Sequence, residues 1–242
     1  MTTDTTGRTG GRRATAPEPQ KVSRQAIVAT ALRILEAEGP DGLSMRKVGA
    51  ACGVRGPSLY WHFTNKDELL DEMVDAALGE VDAGDPDQPW IEQAATIARS
   101  LRAVLLAHPG LATIIPTRLA LGPNALDKIE ASIAAGRRAG FGARQAGAAY
   151  YAVTTFVIGF VLQERATPLA ELGGPDPDAP ARREVVERMQ ALPGATHPNL
   201  VEMADEITDM QLDDLFEFCL HSLLQGLYGE CGAPSEAFRA SS

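Results

Sequence analysis

The chain of 242 residues is poor in cysteine, in aromatic side chains and in long apolar runs. Its three cysteines, Cys52, Cys219 and Cys231, cannot all pair within one chain and match no zinc or redox spacing. That argues against a disulfide framework and a cysteine-built metal site and leaves reduced thiols as the expectation. The most apolar stretch, Tyr150 to Leu162, is shorter than the roughly 20 residues a bilayer span requires, so neither a membrane helix nor a membrane partner is expected. The N-terminus has arginines but no apolar core ahead of a cleavage site, which argues against a secretory signal and for the cytoplasm. There is no Gly-rich phosphate loop, no nucleophile motif and no His/Cys metal spacing, and His108, His197 and His221 stand isolated. Neither catalytic machinery nor a cofactor is expected. Aromatics make up 5% of the chain, alanine is abundant, and no segment alternates as a strand would, so the fold class is all-α. What is present, 45% hydrophobic and 22% charged residues, suits a chain of one or two domains with a substantial core.

A basic excess is also missing: the net charge is −10, which taken as an average argues against nucleic acid. The distribution says otherwise. Residues 1–66 hold ten Lys and Arg against five Asp and Glu, a local charge of +5, so the remainder carries −15. A basic head on an acidic body concentrates phosphate attraction at one end of the molecule.

Within that head, residues 44–68 fit two short helices around a glycine turn, followed by a third helix. Ser44 suits the N-cap of a helix running to about Ala51, with Val48 and Ala51 inward. Gly53 supplies a tight reversal, and Val54 fills the angle between the helices. Pro57 suits the first position of the next helix, which starts near Gly56. Leu59 and Phe63, four apart, face the core and leave Ser58, Tyr60, Trp61 and His62 on or beside the outer face. Thr64 with Asp67, and Asn65 with Glu68, both have the spacing of a cap followed by a carboxylate, so another helix begins at once. Lys66, a cation at that helix start, opposes the macrodipole unless an anion such as a phosphate is nearby. The pattern is that of a helix-turn-helix DNA reader.

Leu59-Tyr60-Trp61-His62-Phe63 followed by Asn65-Lys66-Asp67-Glu68-Leu69-Leu70 resembles the DNA-binding domain of the tetracycline-repressor (TetR) family. Phe156 to Glu164 and Phe216 to Leu227 resemble the regulatory domain of its tetracycline-repressor subgroup. The resemblance implies an N-terminal three-helix reader and a helical ligand-binding and dimerisation domain, with a four-helix bundle at the dimer interface. It implies a repressor that binds a double-stranded, pseudo-palindromic operator as a homodimer and responds to a small molecule. Carried onto matching positions, it makes Arg46 a reader of guanine or a phosphate contact, with Ser44 beside it. Ser58 meets a base edge or phosphate, Pro57 a thymine methyl, and Trp61 offers an apolar edge. Tyr60, His62 and Lys66 anchor phosphates, His62 alternatively being structural. Gly56 offers no side chain, so Arg55 or DNA shape supplies the missing discrimination.

Along the chain, residues 1–20 form a basic tail without apolar periodicity, 21–68 the reader, 69–84 a connecting helix, 85–232 the ligand-binding and dimerisation domain, and 233–242 a tail. Ser23 caps a first helix that ends at Gly39-Pro40. The helix begun at Asn65 runs to about Val81, ahead of Gly84-Asp85-Pro86-Asp87. Further helices are expected over 90–107, 110–115, 123–139, 143–165, 181–191 and 209–230. The Pro/Gly/acidic loop between Thr167 and Pro180 reads either as a flap over a ligand entrance or as a surface excursion. The helices at 143–165 and 209–230 are apolar on more than one face, which fits a dimer interface or a thick internal core. Ile97, Leu101, Ile114, Thr117, Tyr150, Thr154 and Gln163 are the candidate walls of a pocket for a polycyclic or aromatic compound. The subgroup's magnesium-chelated tetracycline is not expected, because Ala112 to Thr117 contains isoleucines and no histidine. Two other readings stand beside this one: an enzyme using the helical pocket, and a redox sensor working through Cys52.

Overall fold

The computed structural model describes residues 22–54, 56–166, 180–206 and 211–232, and every regular element among them is helical, as composition and periodicity predict. The helices are α1 (Arg24–Gly42), α2 (Met45–Ala51), α3 (Gly56–Tyr60), α4 (Lys66–Gly79), α5 (Trp90–Ala107), α6 (Pro109–Ile114), α7 (Pro123–Arg138), α8 (Ala143–Glu164), α9 (Pro180–Gln190), α10 (Pro198–Glu206) and α11 (Leu212–Gly232). Arg55, the loop at 167–179 and both terminal tails lie outside the described residues, as does the side chain of Pro57.

Local chemistry sets the boundaries of the first four helices. Ser23 Oγ accepts the Ala26 amide at 3.1 Å and opens α1, whose regular winding breaks at Gly39, where φ is +71° and Pro40 follows. Ser44 Oγ accepts the Lys47 amide at 3.3 Å and starts α2. The turn to α3 passes through Gly53 at φ +67°, a left-handed conformation that a Cβ disfavours. Asn65 Oδ1 accepts the Glu68 amide at 2.8 Å, and Glu68 reaches back to the amide of Thr64 at 2.7 Å and its hydroxyl at 2.8 Å. Both ends of that exchange satisfy donors that a helix start would otherwise leave unpaired.

Ile27, Ala31 and Leu35 of α1, Val48 of α2, Leu59, Phe63, and Leu69 and Met73 of α4 close a small core around the reader. Helices α5, α7, α8 and α11 pack as the body, and α4 touches α1 on one side and α5, α6 and α7 on the other. The expected division between residues 68 and 69 therefore falls inside one continuous helix. At the far end of the body, Arg102 of α5 pairs with Glu164 of α8 through two bonds of 3.0 and 2.5 Å and with Asp213 of α11 at 2.7 Å, its guanidinium lying over Phe216.

α8 is by length and composition apolar enough to cross a bilayer, a point hidden when only Tyr150 to Leu162 is counted. One side of it is used for packing within the chain. Ala146, Ala149, Val153, Val157 and Val161 are buried within the chain, as are Phe216, Leu220 and Leu224 of α11. Those inward stripes fill one protomer's own core. The opposite sides keep large exposed apolar residues, Tyr151 and Leu162 on α8 and Phe218 on α11.

Candidate nucleic-acid interface and ligand cavity

The elements of the reader are tied to one another and to α4 by Arg24, a residue the sequence pattern does not flag. Its Nη1 donates to the His62 carbonyl, and its Nη2 donates to Glu68 at 3.1 Å and to Glu72 at 2.9 Å. The guanidinium also lies 4.2 Å from the centre of the Phe63 ring. One side chain of α1 thus fixes the segment after α3 and the first turns of α4. The amide and hydroxyl of Thr64, and then Arg24, hold the Glu68 carboxyl below the usual carboxylate range, so Glu68 stays ionised at neutral pH.

Around this anchor Ser44, Arg46, Ser58, Tyr60 and Trp61 are exposed, Trp61 to 89%. Tyr60 and Trp61 together leave two aromatic side chains bare at the end of α3. Ser44 uses its oxygen as the cap of α2 and keeps a hydroxyl proton to donate. His62 is half-buried, its carbonyl engaged by Arg24. Lys66 is half-buried and points its ammonium at the Pro40 carbonyl, 3.2 Å away, so it sits beside the end of α1. Lys47, next to Arg46, is paired with Glu38.

In the body, α5, α7 and α8 enclose a small cavity of about 30 Å³. Of the expected walls, Ile97, Tyr150 and Thr154 line it, together with Trp90, Ala94, Ser132, Ala135, Ala149 and Val153. Leu101 and Ile114 are buried elsewhere in the core; Thr117 and Gln163 are exposed. Burial pushes the Tyr150 phenol up, partly offset by a hydrogen bond with Thr154, so the α8 wall is neutral, with this hydroxyl pair as its polar spot. Ser132 adds a third hydroxyl, from α7. Trp90, whose ring is 4.8 Å from Phe141 and 6.2 Å from Tyr228, closes one end. Trp90 and Ser132 are not among the walls the sequence predicts; a tryptophan at the first turn of a helix, directly after a breaker cluster, is the signal available for the first. The volume holds about two waters, so a drug-sized molecule requires the surrounding helices to part. The stretch Ala112 to Thr117 offers no side chain suited to magnesium: Ile114 is buried and the Thr117 hydroxyl donates to the Ile114 carbonyl at 2.7 Å. The residues present do not fit a chelated metal there.

Two family descriptions match the chain. "Bacterial regulatory proteins, tetR family" covers residues 27–73, and "Tetracyclin repressor-like, C-terminal domain" covers residues 83–230. An HTH-type transcriptional regulator of Saccharopolyspora erythraea is 40% identical over 154 residues, which are 60% of this chain and 65% of that regulator's length, just under two thirds. The tetracycline repressor protein class C of Escherichia coli is 33% identical over 71% of this chain and 80% of its own length. Among solved structures, the Streptomyces coelicolor TetR family protein ActR in complex with actinorhodin superposes with a TM-score of 0.80 at 33% identity, covering 90% of this chain and all of that one.

Proposed function

The chain belongs to the tetracycline-repressor family of transcriptional regulators, and on that premise we propose that it is a repressor whose grip on a pseudo-palindromic operator is released by a small aromatic compound. The observation that carries the reading is the reach of α4. This one helix starts in the reader, at the Asn65 cap and the Arg24 cluster, and runs into the body that holds the cavity. Two copies place two α3 helices in successive major grooves, about 34 to 36 Å apart. Arg46, Ser58 and Trp61 face the bases, and Tyr60, His62 and Lys66 face the phosphates, with Arg55 and Pro57 completing the set.

The effector enters between α5, α7 and α8, against Trp90, Ile97 and Tyr150, with Ser132 and Thr154 as polar handles. It is planar and largely apolar. The complex of ActR with actinorhodin supports this class, and the absence of a donor set along Ala112 to Thr117 speaks against a magnesium-chelated tetracycline. Opening the cavity displaces α7 and α8 and tilts the readers away from operator spacing; a coupling of about 1 to 3 kcal/mol alters affinity by about 5- to 150-fold. The protein works in the cytoplasm, where its DNA is, and its relatives are regulators, not enzymes.

The test is a selection of bound fragments from random duplex DNA, followed by anisotropy titration of the selected duplex at fixed salt, with and without actinorhodin and smaller polycyclic quinones. Tight binding to one symmetric sequence, reversed by a compound of this class, is expected. Equal affinity for a scrambled duplex would remove the reading.

A further inference from the structure

Asp67, Asp71 and Asp75 are spaced four apart along α4 and so lie on one face of it. A single short segment, residues 118–125, engages all three. Arg118 donates from Nη2 to the Asp67 carboxylate and to its backbone carbonyl, 3.1 Å each, and from Nε to Asp71. One turn further on, Asp75 is buried and accepts three N–H groups from the start of α7: the Ala125 amide at 2.9 Å, the Asn124 side-chain amide at 3.0 Å and the Asn124 backbone amide at 3.4 Å. The two backbone amides are donors that a helix start leaves unpaired, and the cap residue itself, Gly122, has no side chain to offer them. A Cβ on Gly122 would overlap the Asp75 carboxyl, so the glycine and the aspartate are two halves of one joint.

The joint sits between the two sites. From it α7 runs to Ser132 and Ala135 in the cavity wall, and α4 runs back to Glu72 and Glu68, which hold Arg24 and through it the His62 carbonyl. We infer that Asp75 is the positioning residue through which α7 passes its displacement at the cavity to α4 and the reading helix. A buried carboxylate with three donors cannot slide without leaving N–H groups unpaired, so the two helices move together at this point. The Arg118 pairs involve exposed aspartates and yield more easily. The purpose of the joint rests on the ligand-responsive reading; its test does not.

Asp75→Asn keeps the shape and turns one acceptor into a donor that faces other donors. Hydrogen exchange on the full-length, ligand-free protein is read by mass spectrometry on peptides from the first turn of α7, from α2–α3 and from α11. Exchange is expected to quicken about threefold or more in both the α7 and the α2–α3 peptides, with α11 unchanged. Acceleration confined to α7, or none at all, overturns the inference. If α11 accelerates too, the variant is generally destabilised, and Gly122→Ala decides by disturbing the joint from the other side. Faster α2–α3 exchange with α11 unchanged supports the inference, and any other pattern overturns it. A wild-type protein that binds no small molecule would remove the effector reading and leave this measurement standing.

Discussion

His108, just past α5, stands between two carboxylates from different parts of the chain: Nδ1 is 2.8 Å from Glu36 of α1, and Nε2 is 3.3 Å from Glu80, which follows α4. Only the imidazolium can donate from both nitrogens at once. Burial pulls its pKa down, yet the bonds and charges of Glu36 and Glu80 outweigh burial and raise it overall. A raised histidine contributes stability that is complete below the unfolded value of about 6.5 and is lost as pH climbs through the higher folded value. The melting temperature of the wild type should therefore exceed that of His108→Gln by most below about pH 6.5, and the gap should narrow as the pH rises above that value. A gap that stays constant with pH would mean the ring acts only by packing. Arg46 poses a different question at the same scale, since it is exposed and free to read a base or hold a phosphate. If it reads guanine, Arg46→Ala costs about 1 to 3 kcal/mol of operator affinity and relaxes preference at one base pair. If it holds a phosphate, binding weakens evenly across sequences and the salt slope drops by about one. Titrations of matched and mismatched duplexes at several salt concentrations separate the two.

At the scale of elements, the reader was legible almost residue by residue because its determinants are local. Ser23, Ser44, Gly53 and Asn65 each act within three or four positions of themselves, so spacing alone places α1 to α4. Gly53 makes the point measurable. Nothing lies within 4 Å of where its Cβ would be, so Gly53→Ala meets no clash and bears only the left-handed backbone penalty, roughly 1 to 2 kcal/mol in urea denaturation. A neutral result would show that the turn relaxes to an ordinary conformation. What the sequence concealed depends on partners far along the chain. Arg24 bonds residues 38 to 48 positions away, and Asp75 bonds residues 49 and 50 away, distances at which periodicity carries no information. The cavity is an intermediate case. Tyr150 and Thr154 lie on α8, which is apolar on nearly every face, and Ile97 on the apolar side of α5, so composition suggests a pocket but cannot tell that Trp90 and Ser132 turn toward it while Leu101 does not. α10 is not predicted by spacing because Pro198–Glu206 is only nine residues long and its apolar residues, Leu200, Val201, Met203 and Ala204, cover little more than one turn, too short for a period to show.

For the whole molecule, the apolar stripes of α8 and α11 have two claimants, the protomer's own core and a second copy, and helical spacing divides them. On α8 the inward side carries Ala146, Ala149, Val153, Val157 and Val161. Gly147, Tyr151, Ile158 and Leu162, spaced four, seven and four apart, form the other side. On α11, Phe218 stands opposite the buried Phe216 and Leu220 in the same way. Tyr151 and Phe218 are 71% and 70% exposed in the single chain, and a Cβ on Gly147, Gly226 or Gly229 would meet nothing within 4 Å. Open glycines beside bare aromatics suit the close approach of another pair of helices better than contact with water. A five-residue recognition helix reaches too few base pairs to hold an operator alone, and pairing through this face would set affinity as well as shape. Tyr151→Glu and Phe218→Glu place a charge on the outward side without touching the core, and each should leave the helical content intact. Sedimentation should show a single chain in solution. Operator affinity should fall by roughly a hundredfold or more, because the second half-site no longer binds as an intramolecular event. A variant that still sediments as a dimer would move the interface elsewhere on the molecule, and a monomer that still held the symmetric duplex at full strength would show that one reader suffices.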